Sequence, residues 1–325
     1  MNSMSIGKPV FILSLDLELL WGLINTRSYR AIRLLKRVGG VRLRERIDAV
    51  LSVLEMYQIP ATWAVVGHLL LDPCHEQSDV SCKHKPRFTN LHSFDICANS
   101  CDNTLYFGRD IVEKILSSTV GHEIGHHSFS HPLFSQISEE VADSEIKAGM
   151  ETAEHFGIIL KSFVFPQNKI GHIDVLKKYG LLVYRGETLM QSSLRSRSLN
   201  KVNGLINEMI APPVMPKWKN GIWEIPSSMY FSDPKYPFSL LPRAKLGLWR
   251  AIRSNMVFHV WMHPWNLLEY KALGRDFKLF MDYVSRKRNE GKIVVRTMGD
   301  FAICLNRMCN VEEHKLPTIT QRKRK

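Results

Sequence analysis

Residues 10–18, VFILSLDLE, set the reading of the whole chain. VFILSL has the length and apolar character of a buried strand, and the run stops at Asp16. A carboxylate at the end of an apolar strand is costly unless it is paired or coordinated. Side chains two apart on a strand share a face, which would put Asp16 and Glu18 on one side at about 6–7 Å between Cα atoms. Either both acids simply meet water beyond the strand end, or they share a site.

Outward from this strand the same alternation recurs. VRLRERIDAVLSVLEMY (41–57) is helical, with Ile47, Val50, Leu51 and Leu54 on one face, and ATWAVVG (61–67) is strand-like. GRDIVEKILSS (108–118) is a short helix, and residues 137–156 form another with an acidic first turn. SFVFP (162–166), LLVYRG (181–186), WEIPSS (223–228) and MVFHVWMHP (256–264) are strands. Helices fall at HIDVLKKYG (172–180, Gly180 as C-cap), about residues 200–210, and RDFKLFMDYVSRKRNEG (275–291), the last long one. This βα rhythm without a compositional break predicts a parallel sheet or barrel in one domain, residues 1–310, followed by a basic tail at 311–325. The polar stretch at 72–105 reads as an insertion long enough to drape over a barrel mouth. In a βα barrel the chemistry lies at the C-terminal strand ends. Asp16, the His127/His131 segment, Pro166, Arg185 and His263 all fall there or in the following loops.

Composition narrows the function classes. The 325 residues hold 44 Lys+Arg against 31 Asp+Glu, a net +13, and 45% are hydrophobic. Such a chain folds without disulfides. The charge favours an anionic contact, but no nucleic-acid reading module is present, which argues against nucleic acid. Asp16 and Glu18 interrupt the first apolar run well short of the ~20 residues a membrane span needs, and a secretory leader would not carry them. A cytoplasmic protein is the expectation. Residues 27–46 interleave Arg27, Arg30, Arg33, Lys36, Arg37, Arg42, Arg44 and Arg46 with apolar residues, either a solvated basic face or a surface for peripheral contact with an anionic membrane. Cys74, Cys82, Cys97 and Cys101 lie near His75, His84 and His92, but their spacings match no usual zinc knuckle, and free thiols in a long loop are the preferred reading. The oligomeric state is not legible.

HEIGHHSFSHP (122–132) holds the strongest chemical signal. Two imidazoles four apart, His127 and His131, can serve one metal if the segment makes a helical turn. With one carboxylate, from Glu18 or Asp16, they would form a ligand set that leaves a position for water. His263 emerges from an apolar strand where a general acid would be presented, or where a structural histidine would pack. His259 precedes it by two residues.

In ordered co-occurrence these residues resemble the polysaccharide deacetylase family, the NodB-homology group of metal-dependent carbohydrate esterases. HSFSH at 127–131, followed by Pro132, is similar to the family's His-x-x-x-His metal pair. SLDLE at 14–18 is similar to its first motif in a branch with acids two apart, Leu17 standing where the usual ligand aspartate would be. FVFPQN at 163–168 resembles the third motif without its arginine, for which Arg185 in LVYRGE is a substitute. WEIP at 223–226 lies where the fourth motif belongs but lacks its aspartate, and MHP at 262–264 resembles the fifth.

The resemblance implies a distorted (β/α)7-type barrel of the NodB kind with an insertion around residues 72–105. It implies removal of an acetyl group, N-acetyl before O-acetyl, from a sugar, glycan or lipid-linked saccharide. Glu18, His127 and His131 would hold a divalent metal, zinc by preference. Asp16 would be the base and His263 the acid. The backbone at Phe165–Gln167 would supply an oxyanion donor, Asn168 a substrate or base-orienting contact, and Trp21 a stacking surface for sugar. A hydrolase of small cyclic amides on the same fold, and a metal-binding module without catalysis, are the alternatives. A glycosidase fits poorly, because both carboxylates sit on one strand and the histidine pair would be idle.

Overall fold

The computed structural model describes residues 6–23, 29–72, 103–187, 211–232, 240–269 and 271–311. The helix expected near 200–210, the Cys/His-rich stretch beyond Asp72 and the QRKRK tail lie outside the described residues.

The strands are β1 Val10–Leu17, β2 Thr62–Val65, β3 Glu123–His126, β4 Ser162–Phe163, β5 Val183–Gly186, β6 Lys217–Lys219, β7 Ile222–Pro226, β8 Met229–Tyr230, β9 Val257–Met262 and β10 Val294–Val295. They form one curled sheet in the order β6-β7-β5-β4-β3-β2-β1-β9-β8, with β10 also on β1. Every pairing in it is parallel except β6 with β7. Only Ser227 and Ser228 separate β7, paired with β5, from β8, paired with β9. One short segment therefore runs between the two ends of the sheet, and the architecture is the distorted, incompletely closed βα barrel expected.

Flanking helices are α1 Tyr29–Tyr57, α2 Arg109–Leu116, α3 Glu139–His155, α4 Ile173–Lys178, α5 Leu240–Ser254, α6 Asn266–Glu269, α7 Lys271–Asn289 and α8 Met298–Met308. α1 starts well before the periodicity at 41–57 and breaks at Gly39, whose φ of 76° is easy only for glycine. α3 is capped by Ser138, whose hydroxyl accepts from the Val141 N–H.

Strand alternation sorts the core into two layers. Phe11, Leu13, Leu15, Trp63, Phe163, Phe165 and Phe258 belong to the cluster that includes residues of the flanking helices. Val10, Ile12, Val164, Val183, Trp223, Ile225 and Val257 belong to a second cluster, shared with Met298, Phe301, Ala302 and Leu305 of α8. That last helix is not among those expected from the sequence, where RDFKLFMDYVSRKRNEG is the last long one. α8 plugs the barrel at the N-terminal strand ends, where Glu123 accepts from the Gly299 N–H at 2.9 Å and Trp223 donates to Asn306 Oδ1 at 2.7 Å. With that end filled by apolar side chains, the polar residues on the same strand faces, Ser14, Asp16, Arg185 and His259, lie toward the opposite end, as does His127 just past β3.

Candidate active site

β1 runs two residues past the expected stop, so Asp16 lies inside the strand and Glu18 just beyond it. Both are buried, at 3% and 4% exposure. Gly22, in the turn that follows, leaves the Glu18 carboxylate room: a Cβ there would fall 1.9 Å from Glu18 Oε1.

The histidine pair is delivered by a strained loop after β3, not by a helical turn. Ser128 and His131 have φ of 60° and 65°, and Ser128 Oγ accepts from the His131 N–H at 2.9 Å. Glu145 of α3 clamps the same loop. Its Oε2 accepts from the N–H groups of Phe129 and Ser130 at 2.9 and 2.8 Å, and its Oε1 from the Ser130 hydroxyl at 2.5 Å. Burial raises the Glu145 pKa to about 7 against these hydrogen bonds.

Glu18, His127 and His131 converge, with ligand-capable atoms all within 4.8 Å of one another. Glu18 Oε2 lies 3.2 Å from His127 Nε2 and 3.0 Å from His131 Nε2. Donors around a tetrahedral ion with 2.0–2.1 Å bonds sit about 3.3 Å apart, near these two spacings. His127 Nδ1 donates to the Val164 carbonyl at 2.7 Å, which fixes the tautomer and leaves Nε2 as the ligand atom. The buried acid–His–His cluster therefore suits a divalent metal. Burial pushes the His131 pKa down against the pull of Glu18, favouring the neutral, ligating form.

Beside this cluster Arg185 of β5 binds Asp16 through two bonds, Nη1 to Oδ1 at 2.7 Å and Nη2 to Oδ2 at 2.6 Å. Arg185 also donates to Asn168 Oδ1 from Nε and Nη2, and to Ser14 Oγ from Nη1. Its guanidinium carbon lies 4.3 Å from the Trp261 ring centroid. Burial works against ionisation of Asp16, but Arg185, with smaller contributions from His127 and His263, outweighs it and holds the carboxyl below its ordinary range. Ser14 Oγ is in turn 2.9 Å from Nε2 of fully buried His259.

His263, just after β9, places Nε2 3.1 Å from Glu18 Oε1 and 4.0 Å from Asp16 Oδ2. Its Nδ1 meets the Tyr230 hydroxyl at 3.1 Å, and that hydroxyl donates to Asn266 Oδ1, so Nδ1 carries a proton and Nε2 is the titrating nitrogen. Burial would lower the His263 pKa; the charges of Glu18 and Asp16 overcome it and raise it.

The remaining candidates are placed as follows. Asn168 is buried with its carbonyl oxygen committed to Arg185, while neighbouring Gln167 is exposed. The Phe165 side chain packs among Phe134, Phe163 and Tyr184 in the outer layer. Trp21 is fully buried, 4.4 Å from the His68 ring, and donates to the Tyr106 carbonyl at 3.0 Å. Glu145, Asn266 and Ser14 were not singled out from sequence. A helix glutamate 14 positions after His131 gives no local signal of the loop it holds.

Comparison with known proteins agrees with this geometry. Residues 39–181 match the family model of the polysaccharide deacetylases. That span carries His127, His131 and Glu145, but not Asp16, Glu18, Arg185 or His263. None of the curated proteins matches the sequence. Among solved structures, one from Mycobacterium smegmatis assigned as a polysaccharide deacetylase is 15% identical, covering 93% of this chain and 92% of its own, with a TM-score of 0.60. One from Pseudomonas aeruginosa PAO1 with the same assignment is 12% identical, covering 94% and 95%, also at 0.60. A Puue allantoinase is 12% identical, covering 94% of each chain, at 0.59. At these identities the likeness establishes the fold, and the buried cluster on that fold supports a metal-dependent hydrolase.

Proposed function

We propose that this protein is a metal-dependent deacetylase of the polysaccharide deacetylase kind, hydrolysing an N-acetyl group on a sugar or glycan. The observation that carries the proposal is the convergence of Glu18, His127 and His131 beside an arginine-held Asp16 and a tyrosine-oriented His263. Glu18, His127 and His131 would hold a divalent ion, zinc by the chemistry of two imidazoles and one carboxylate. When bound, it lowers the pKa of water and polarises the acyl carbonyl.

Asp16 stays ionised, held in one orientation by Arg185 through both carboxylate oxygens, and takes the proton of the attacking water. Asn168 and Ser14 fix the guanidinium that does the holding, so Arg185 fills the role of the arginine absent from FVFPQN. His263 carries a proton on Nε2, stabilised by the neighbouring carboxylates, and gives it to the departing amine nitrogen as the C–N bond breaks. The products are acetate and a free amine.

The test is direct. Purified protein is assayed for bound metal, and for acetate release from N-acetylglucosamine oligomers alongside ring opening of a small cyclic amide. Acetate release that vanishes in His127→Ala and His131→Ala is the expected result. Protein purified without metal that cannot be activated by added zinc, or activity retained in both variants, overturns the mechanism. Cyclic-amide turnover alone moves the substrate class and leaves the metal site standing.

A further inference from the structure

α5, LLPRAKLGLWRAIRS, is amphipathic in an unusual sense. Its inner face is fully used: Leu240, Ala244, Gly247, Leu248 and Ala251 are buried. Yet Leu246 and Trp249, one turn apart on the opposite face, are 40% and 48% exposed. On α7, which packs against α5, Leu279 is 43% exposed. Isolated exposed apolar residues need no explanation, but three on two adjoining helices do.

Charge surrounds them. α5 has four basic residues, of which Arg243 is buried and Lys245, Arg250 and Arg253 are not, and no acid in its 15 positions. α7 has six basic residues against two acidic, and α1, which also packs against α7, has seven against three. These three neighbouring helices carry twelve of the chain's thirteen net positive charges. Lys245, Arg253 and Lys278 form no ion pair among the described residues, and the acids of α7, Asp276 and Asp282, are paired with Arg275 and Arg286. Arg253 lies over the Trp249 ring at 5.4 Å, and Lys245 and Lys287 lie over the Tyr283 ring at 5.5 and 5.4 Å.

We propose that the α5–α7 face docks onto an anionic lipid bilayer. An exposed aromatic with a cation over its ring suits the headgroup layer, where the ring sits at the boundary and the cation meets phosphate. Leu246 and Leu279 need an apolar phase, which a bilayer supplies and a nucleic-acid backbone does not. Neither element suffices alone: a few apolar side chains bury too little area, and charge without insertion leaves the protein loosely held. The surface flanks β9, the strand that presents His263, so docking holds the molecule beside lipid along the wall of the barrel. Of the basic stretch at 27–46, read from sequence as the place for such contact, residues 27 and 28 lie outside the described residues, and α1, which carries the rest, packs against α7.

The experiment is sedimentation of the full-length protein with sucrose-loaded vesicles, of phosphatidylcholine alone or with 30 mol % phosphatidylglycerol, in 0.1 and 0.5 M NaCl. Binding to the anionic vesicles at low salt is expected, falling at least tenfold on neutral vesicles or at high salt. The double variant Leu246→Glu/Trp249→Glu should also lose at least tenfold, with the wild-type urea midpoint. Lys245→Glu/Arg253→Glu, which leaves the apolar side chains intact, should lose binding too. No binding to anionic vesicles, or binding by both double variants as tight as wild type, overturns the proposal. So does tighter binding of fluorescein-labelled single-stranded RNA than of vesicles with the same dependence on these residues, which would assign the face to nucleic acid. None of these readouts depends on metal or on turnover, so they stand or fall apart from the deacetylase reading.

Discussion

Replacing Arg185 by Met tests the core of the site most sharply. Asp16 and Arg185 have side chains only 4% and 1% exposed, and the guanidinium also holds Asn168 and Ser14. Removing one partner of a buried ion pair leaves the other charged and unsolvated, at a cost of about 3–5 kcal/mol. Asp16→Asn leaves Arg185 uncompensated and should cost a similar amount. The double variant removes both charges, so it should be much less unstable than the sum, with a coupling of at least about 2 kcal/mol in a double-mutant cycle. Lysine is no substitute, because a point charge cannot span both oxygens of Asp16 and reach Asn168. The assay is urea unfolding of all four proteins under one metal-chelated condition, with acetate release measured separately on zinc-supplemented protein. Additivity within about 0.5 kcal/mol, or an Arg185→Met protein as stable and active as wild type, would refute the reasoning.

Two further outcomes follow from the buried groups around this pair. Glu145→Ala strips the acceptor from two backbone N–H groups of the histidine loop, and should lower stability by about 2–4 kcal/mol and weaken zinc binding at least tenfold in a chelator competition. Glu145→Gln keeps one acceptor oxygen for those groups and should retain most of both; indistinguishable Ala and Gln variants would remove the clamp from the account. His259 is fully buried with its pKa pushed down to about 3 by burial and by Arg185. Because the folded value lies below the unfolded one, its contribution to stability is present above about pH 6.5 and is lost as pH falls toward 3. Between pH 7 and 5.5, His259→Gln should therefore lose about 1 kcal/mol less than wild type in urea unfolding. A difference that does not change with pH would mean the imidazole is accessible to water.

Much of the site was legible because its signals are local. A strand that ends in acids, a histidine pair and a histidine after an apolar strand each show in a few consecutive residues. Where the reading slipped, distance in the chain was the reason. The histidine segment was open to a helical turn, yet a loop with two left-handed residues delivers the pair, because Glu145 pins its N–H groups from another element. α8 was missed because MGDFAICLNRM packs apolar residues against the barrel interior and lacks a long solvent-facing stripe. Trp21 was a candidate stacking surface for sugar, but its ring is fully buried against His68 and Tyr106, a placement that composition does not reveal.

The amino-acid sequence alone determined the βα order, the acids at the end of the first strand and the imidazoles available to join them, since strand period and side-chain chemistry are properties of short stretches. Tertiary structure alone decided which groups meet. Arg185 reaches Asp16 from 169 positions away, and His127 reaches Glu18 from 109. Such pairings arise because a curled parallel sheet gathers its C-terminal strand ends while α8 fills the opposite end. Register across the sheet, which no single segment encodes, then sets the partner of each charge.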